Sequence, residues 1–96
     1  MSYNLGDIVY STAGRDIGQK YIVWKMEENM LCLVNGKSRK ISHPKKKKTI
    51  HVAFYAKSEA LIENLKNNKK INDAYLRKIL NSDLEMKGED ICQKKM

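Results

Sequence analysis

Cysteine and histidine are scarce in this sequence, long apolar runs are missing, and proline occurs once. Each shortage removes a class of function. The two cysteines, Cys32 and Cys92, stand sixty positions apart with no paired spacing that would hold zinc. Cys32 lies in an apolar stretch and reads as a core residue, because free cysteine packs as a small hydrophobe. The two histidines, His43 and His51, flank a lysine run and belong to no recognisable catalytic signature, so neither a metal site nor a nucleophilic triad is expected. Apolar runs such as Leu31 to Val34 and Val52 to Ala56 fall far short of the roughly 20 residues that cross a bilayer. The opening Met1 to Asp7 lacks the basic and apolar regions of a signal peptide, which sets the expectation of a cytoplasmic protein with no membrane partner.

Acidic residues are the minority, 11 against 19 lysines and arginines. Asp7, Asp16, Glu27 and Glu28 read as exposed turn residues, with no neighbour to shift a pKa for acid and base work. Gly14-Arg15-Asp16-Ile17-Gly18 has two glycines but lacks the Lys-Ser/Thr ending of a P-loop and is not followed by a helix, which argues against nucleotide hydrolysis. The expectation is a protein that is not an enzyme and carries no cofactor.

What is abundant is positive charge. The net charge is +8, and ten basic against four acidic residues through Lys48 place +6 of it in the N-terminal half. Such a surface attracts a polyanion and raises encounter rates with it. With 96 residues, 42% of them hydrophobic, the chain has material for a thin core and little to spare for a deep catalytic cavity.

From Gly6 to Tyr55 short runs rich in Ile, Val, Tyr and Trp alternate with glycine or polar punctuation, a β pattern. Five strands are expected: Asp7 to Ser11, Lys20 to Glu27, Met30 to Val34, Lys37 to Ile41 and Thr49 to Tyr55. Asn35-Gly36 is a strong hairpin signal between the third and fourth. Pro44 then ends the fourth strand, and Lys45 to Lys48 read as an extended, self-repelling loop. Five short, twisted strands around a thin core suggest a small SH3-like barrel over 1–56. Past Lys57 the apolar period becomes helical, with Ser58 as N-cap before Leu61, Ile62 and Leu65 and an end near Asn67. Asn72 caps a second helix carrying Tyr75, Leu76, Ile79 and Leu80 on one face. These predict a helical hairpin over 57–83 packed on the barrel, then a flexible tail over 84–96. The fold class is thus mainly β with C-terminal α.

Cations concentrate on Lys37, Arg39 and Lys40 after the hairpin turn and on Lys45, Lys46, Lys47 and Lys48 in the next connection, with Arg15 and Lys20 flanking from the glycine loop. Lysines act as phosphate point charges that supply affinity without sequence choice, whereas Arg15 and Arg39 can grip phosphate with two bonds or stack on an unpaired base. Trp24, Phe54 and Tyr75 read as core rather than as stacking platforms.

Gly6-Asp7-Ile8-Val9-Tyr10, followed by Ala13-Gly14-Arg15-Asp16-Ile17-Gly18-Gln19-Lys20-Tyr21-Ile22-Val23, resembles the KOW motif, with Gly18 matching the glycine between its two strands. Asn35-Gly36-Lys37-Ser38-Arg39-Lys40 and His43-Pro44-Lys45-Lys46-Lys47 are similar to a narrower group, the KOW-domain RNA-binding proteins of Gram-positive bacteria. These resemble an archaeal and eukaryotic-type large-subunit ribosomal protein. The resemblance covers roughly residues 5 to 55, and the helical segment is similar to the C-terminal part of the bacterial group. It implies an SH3-like barrel that binds RNA, ribosomal RNA above all, without catalysis. Carried over residue by residue, it implies contacts from Ser11, Gly14, Arg15, Arg39, Lys40 and the run from Lys45 to Lys48. KOW domains also occur in transcription elongation factors and bind proteins. A rival reading therefore makes the helical surface of Leu61, Leu65, Tyr75 and Ile79 the partner site of a monomeric interaction module.

Overall fold

The computed structural model describes residues 3–81. Five strands, β1 (Asp7–Ser11), β2 (Lys20–Met26), β3 (Met30–Val34), β4 (Lys45–Lys48) and β5 (Val52–Lys57), form one antiparallel sheet in the order β4-β3-β2-β1-β5. A 3-10 turn, Thr49–His51, joins β4 to β5. Helix α1 spans Glu59–Lys66 and helix α2 covers 73–81. The expected flexible tail, 84–96, and Cys92 with it lie outside the described residues.

Side-chain alternation assigns the two faces of the sheet to two cores. Ile8, Ile22 and Val34 stand opposite one another across β1, β2 and β3, and cluster with Leu61, Leu76, Ile79 and Leu80 of the helices. Val9, Tyr21, Val23, Leu31, Leu33 and Val52 point to the other face and pack with Tyr3, whose hydroxyl donates to the Val52 carbonyl oxygen at 3.2 Å. Both faces of β1 to β3 are therefore buried, which is why their sequences read as nearly continuous apolar runs. Cys32, as expected for a core residue, is buried with a free thiol.

The sheet must curl strongly. β4 and β5 are its two edges, about 19 Å apart in a flat five-stranded sheet, yet the short connection from Lys48 to Val52 reaches about 14 Å at most. Register shifts between Ile8 and Val9 and between Val23 and Lys25 contribute, since a bulge sharpens the local twist.

Three expectations about the strands need correction. Lys37 to Ile41 is not a strand; the connection 35–44 is irregular, because its backbone donors have other partners. Asn35 Oδ1 accepts from the Lys37 and Arg39 amides at 2.9 and 2.8 Å, and Asp73 Oδ1 accepts from the Ile41 amide at 2.9 Å. The run from Lys45 to Lys48, read as a repelling loop, is β4 instead, paired Met30 to Lys48 through Leu33 to Lys45. The last strand begins three residues later than expected, at Val52.

Capping follows the expectation. Ser58 accepts from the Leu61 amide at 3.3 Å, and Asn72 Oδ1 accepts from the Tyr75 amide at 2.8 Å, each satisfying an orphan N–H of its helix. Gly36, with φ 75°, is where α2 meets the 35–44 connection: a Cβ there would overlap the Asp73 carbonyl oxygen. The helical residues read as a partner surface are occupied within the chain. Leu61 and Ile79 are buried against the sheet, and Leu65 and Tyr75 pack on the same cluster.

Candidate functional site

The cations expected to form one phosphate-binding rim fall into three groups. The first is organised by Asp16, in the loop between β1 and β2. Its Oδ1 accepts from Ser11 Oγ at 2.8 Å and from Lys47 Nζ at 3.0 Å, while Oδ2 accepts from the Tyr21 hydroxyl at 2.7 Å and lies 3.6 Å from Lys45 Nζ. Lys45 and Lys47 share a face of β4 because they alternate along it, and that face is the one carrying Leu31 and Leu33. The Asp16 side chain is 14% exposed and that of Lys47 10%. Partial burial would raise the Asp16 carboxyl, but hydrogen bonds from Tyr21, Lys47 and Ser11 and the nearby Lys45 charge outweigh it and hold the carboxyl well below the usual carboxylate range. Burial, then the bond to Asp16, pushes the Tyr21 hydroxyl above the usual phenol value against the opposing charge of Arg39, so Tyr21 stays a donor.

This overturns the view of Asp16 as an exposed turn residue without consequential neighbours. It ties the β1–β2 loop to edge strand β4 across 31 positions of sequence. Gly14 lies beside this contact: a Cβ on it would lie 3.5 Å from Lys47 Nζ. Ser11, Lys45 and Lys47, singled out together with Gly14 as RNA contacts, thus serve a structural clamp. Asp7 is also not a turn residue; it is buried at the start of β1, accepting from Lys57 Nζ at 3.2 Å and from the Asn4 amide at 2.9 Å.

The second group faces outward. Arg15, Lys37, Lys40, Lys46 and Lys48 are exposed, on β4, the 35–44 connection before it and the β1–β2 loop. Lys46 lies 3.5 Å from Glu27, an exposed pair that contributes little to stability and leaves the cation accessible. Arg39 is half-buried near Tyr21.

No family model and no curated protein matches the chain. Its chemistry is therefore read from its own side chains. Among the described residues there is no group of three His, Cys, Asp or Glu that could hold a metal ion, and no helix is long and apolar enough to cross a membrane.

The third group was not foreseen as separate. Lys20, at the start of β2, lies with its ammonium 4.5 Å from the centre of the Tyr55 ring, which meets Tyr10 edge-on at 6.5 Å between centroids. Lys20 also lines a cleft with Lys37 and with Arg77 of α2. Arg77 carried no signal in the sequence, because its position at the cleft depends on how α2 docks. Phe54 corrects another expectation: it lies 48% exposed on edge strand β5, where the bulge leaves it at the margin of the core, with Lys57 Nζ 6.0 Å from its ring centre. Trp24 and Tyr75 do pack against the helix-side core.

Proposed function

We propose that the chain is a non-catalytic binder of structured RNA, with ribosomal RNA as its target and its curled sheet an SH3-like barrel of the KOW type. The observation that carries this reading is the outward-facing group: five exposed cations on one edge strand, the connection that precedes it and the β1–β2 loop clamped to it, after Asp16 has engaged Lys45 and Lys47. Lysines on a sheet edge also discourage edge-to-edge pairing. That role alone asks nothing of Arg15, Lys37 and Lys40, which lie off the strand. The choice of ribosomal RNA rests on the sequence resemblance, as does the KOW type. The curl imposed by the three-residue link between the two sheet edges supports the barrel.

Phosphate contacts from lysines give affinity without base choice, while the arginines can add stacking on unpaired bases. About four such contacts on a duplex region give a slope of log K against log salt near −3.6. The test is association of the protein with purified large ribosomal subunits, compared with free structured RNA and with DNA, at two salt concentrations. The informative variant is Lys37→Gln/Lys40→Gln/Lys46→Gln/Lys48→Gln, which spares the clamp. Saturable binding to the subunit, abolished in the variant and steep in salt, is the expected result. Equal, weak binding to every polyanion, or an affinity indifferent to salt, would refute the reading.

A further inference from the structure

The cleft that brings Lys20, Lys37 and Arg77 together measures about 450 Å3, within the range of small-ligand sites. Its walls come from three parts of the chain: the end of the glycine loop at Gly18 and Gln19, the turn at Asn35 and Lys37, and α2 at Arg77, Leu80 and Asn81. None of these described lining residues is acidic. In this the cleft differs from the pairs elsewhere on the basic surface, where Lys45 and Lys47 face Asp16, Lys46 faces Glu27 and Lys57 faces Asp7. Three cationic residues lining one cleft with no carboxylate among its described lining make its field positive, and an anion bound there is attracted by all three.

The cleft is also held in shape. Asn35 is buried, and both ends of its side-chain amide are engaged, Oδ1 by the Lys37 and Arg39 amides and Nδ2 by Ser38 Oγ at 3.1 Å. Arg77 donates one N–H to the Gly36 carbonyl oxygen, which orients the guanidinium while its fork retains further donors. Lys20 rests over the Tyr55 ring. At Gly18 a Cβ would meet nothing within 4 Å, so that wall stands open to an incoming group.

We propose that this cleft binds the phosphate monoester of a nucleotide. A monoester carries about −1.5 to −2 charge at pH 7 and three acceptor oxygens, a closer match to three cations than the single charge of a backbone phosphodiester. Gln19 and Asn81 supply neutral amides for the sugar or base, and Leu80 supplies apolar surface beside them. The same chemistry is offered by a free nucleoside monophosphate and by the 5′-phosphorylated end of an RNA strand. The site does not depend on the RNA reading, since a free nucleotide is enough to detect it.

The test is an amide chemical-shift titration of the whole protein with adenosine 5′-monophosphate, with adenosine and a dinucleoside phosphodiester as controls. Parallel titrations use a 5′-phosphorylated and a 5′-hydroxyl RNA trinucleotide. Saturable shifts confined to residues 18–20, 35–37 and 77–81 are expected from the monoesters. Lys37→Gln weakens the affinity about tenfold; Lys37 is exposed, so the variant folds, and its amide spectrum verifies this. Lys69→Gln, outside the cleft, leaves the affinity unchanged. Affinity falls between pH 7.5 and 5.5 as the phosphate takes up its second proton, near pH 6. Tighter binding of the phosphorylated trinucleotide than of the mononucleotide assigns the site to RNA ends, and the reverse order assigns it to free nucleotides. Shifts spread evenly over all the lysine-bearing segments overturn the proposal, as does equal binding of monoester and phosphodiester or an unchanged affinity in Lys37→Gln.

Discussion

Replacing Asp16 by asparagine keeps the shape of the side chain and removes its charge, leaving the Lys47 ammonium, 10% exposed, without its anion 3.0 Å away. Removing one partner of a buried ion pair costs about 3–5 kcal/mol; Lys45, at 27% exposure, can turn to solvent, so the lower end, about 3 kcal/mol, is expected. For a domain of this size that lowers Tm by about 12–24 °C, at about 4–8 °C per kcal/mol. Thermal and urea unfolding followed by circular dichroism read the loss. A double-mutant cycle with Lys47→Gln isolates the pair, with a coupling of about 1–3 kcal/mol expected. The pH dependence has a definite sign. Because the folded carboxyl titrates below its ordinary 3.8, the unfolded chain binds the proton first, so the contribution is complete above about pH 5 and is lost as pH falls below about 4. The stability gap between parent and variant is then flat from about pH 5 to 8 and narrows in acid. A Tm within about 3 °C of the parent, or a coupling below about 0.5 kcal/mol, would show that Asp16 does not clamp the edge strand.

Gly18, which lines the cleft, and Gly36, beside it, separate backbone strain from collision. Gly18→Ala adds a methyl to open space at φ 88° and costs about 1–2 kcal/mol, whereas Gly36→Ala, whose Cβ would overlap the Asp73 carbonyl oxygen, costs more and displaces α2; urea midpoints of the two variants should differ in that order. Leu61→Ala and Leu76→Ala each leave a cavity between sheet and helices and cost about 2–5 kcal/mol. The sheet amides of Ile8 and Ile22 should lose hydrogen-exchange protection in both. Ser58→Ala removes the cap of α1 and costs about 1 kcal/mol, seen as a lower urea midpoint with an unchanged slope. By contrast Lys46→Gln/Lys48→Gln changes stability by no more than about 0.5 kcal/mol and makes the salt dependence of RNA binding shallower, by about 0.9 in the slope for each phosphate left unneutralised.

Much of the local structure was legible because its causes are local. Short apolar runs bounded by glycine and polar turns located β1 and β3 with the bounds Asp7–Ser11 and Met30–Val34, and β2 to within a residue of its end. Ser58 and Asn72 announced both helices because a cap acts on N–H groups two or three residues away. The charge excess of the N-terminal half is likewise a property of composition alone. What composition and period could not supply were partners distant in sequence. Four consecutive lysines look like a repelling loop until the β3 ladder satisfies their backbone and Asp16 and Glu27 offset their charge. Lys37 to Ile41 look like a strand until Asn35 and Asp73 take their amides. Phe54 looks like core until β5 proves to be an edge with a bulge. Which cations are tied down, which face outward and which converge with Arg77 on a cleft follows from the docking of β4 and α2. Those contacts span 31 to 41 positions, a distance over which only the folded chain specifies neighbours.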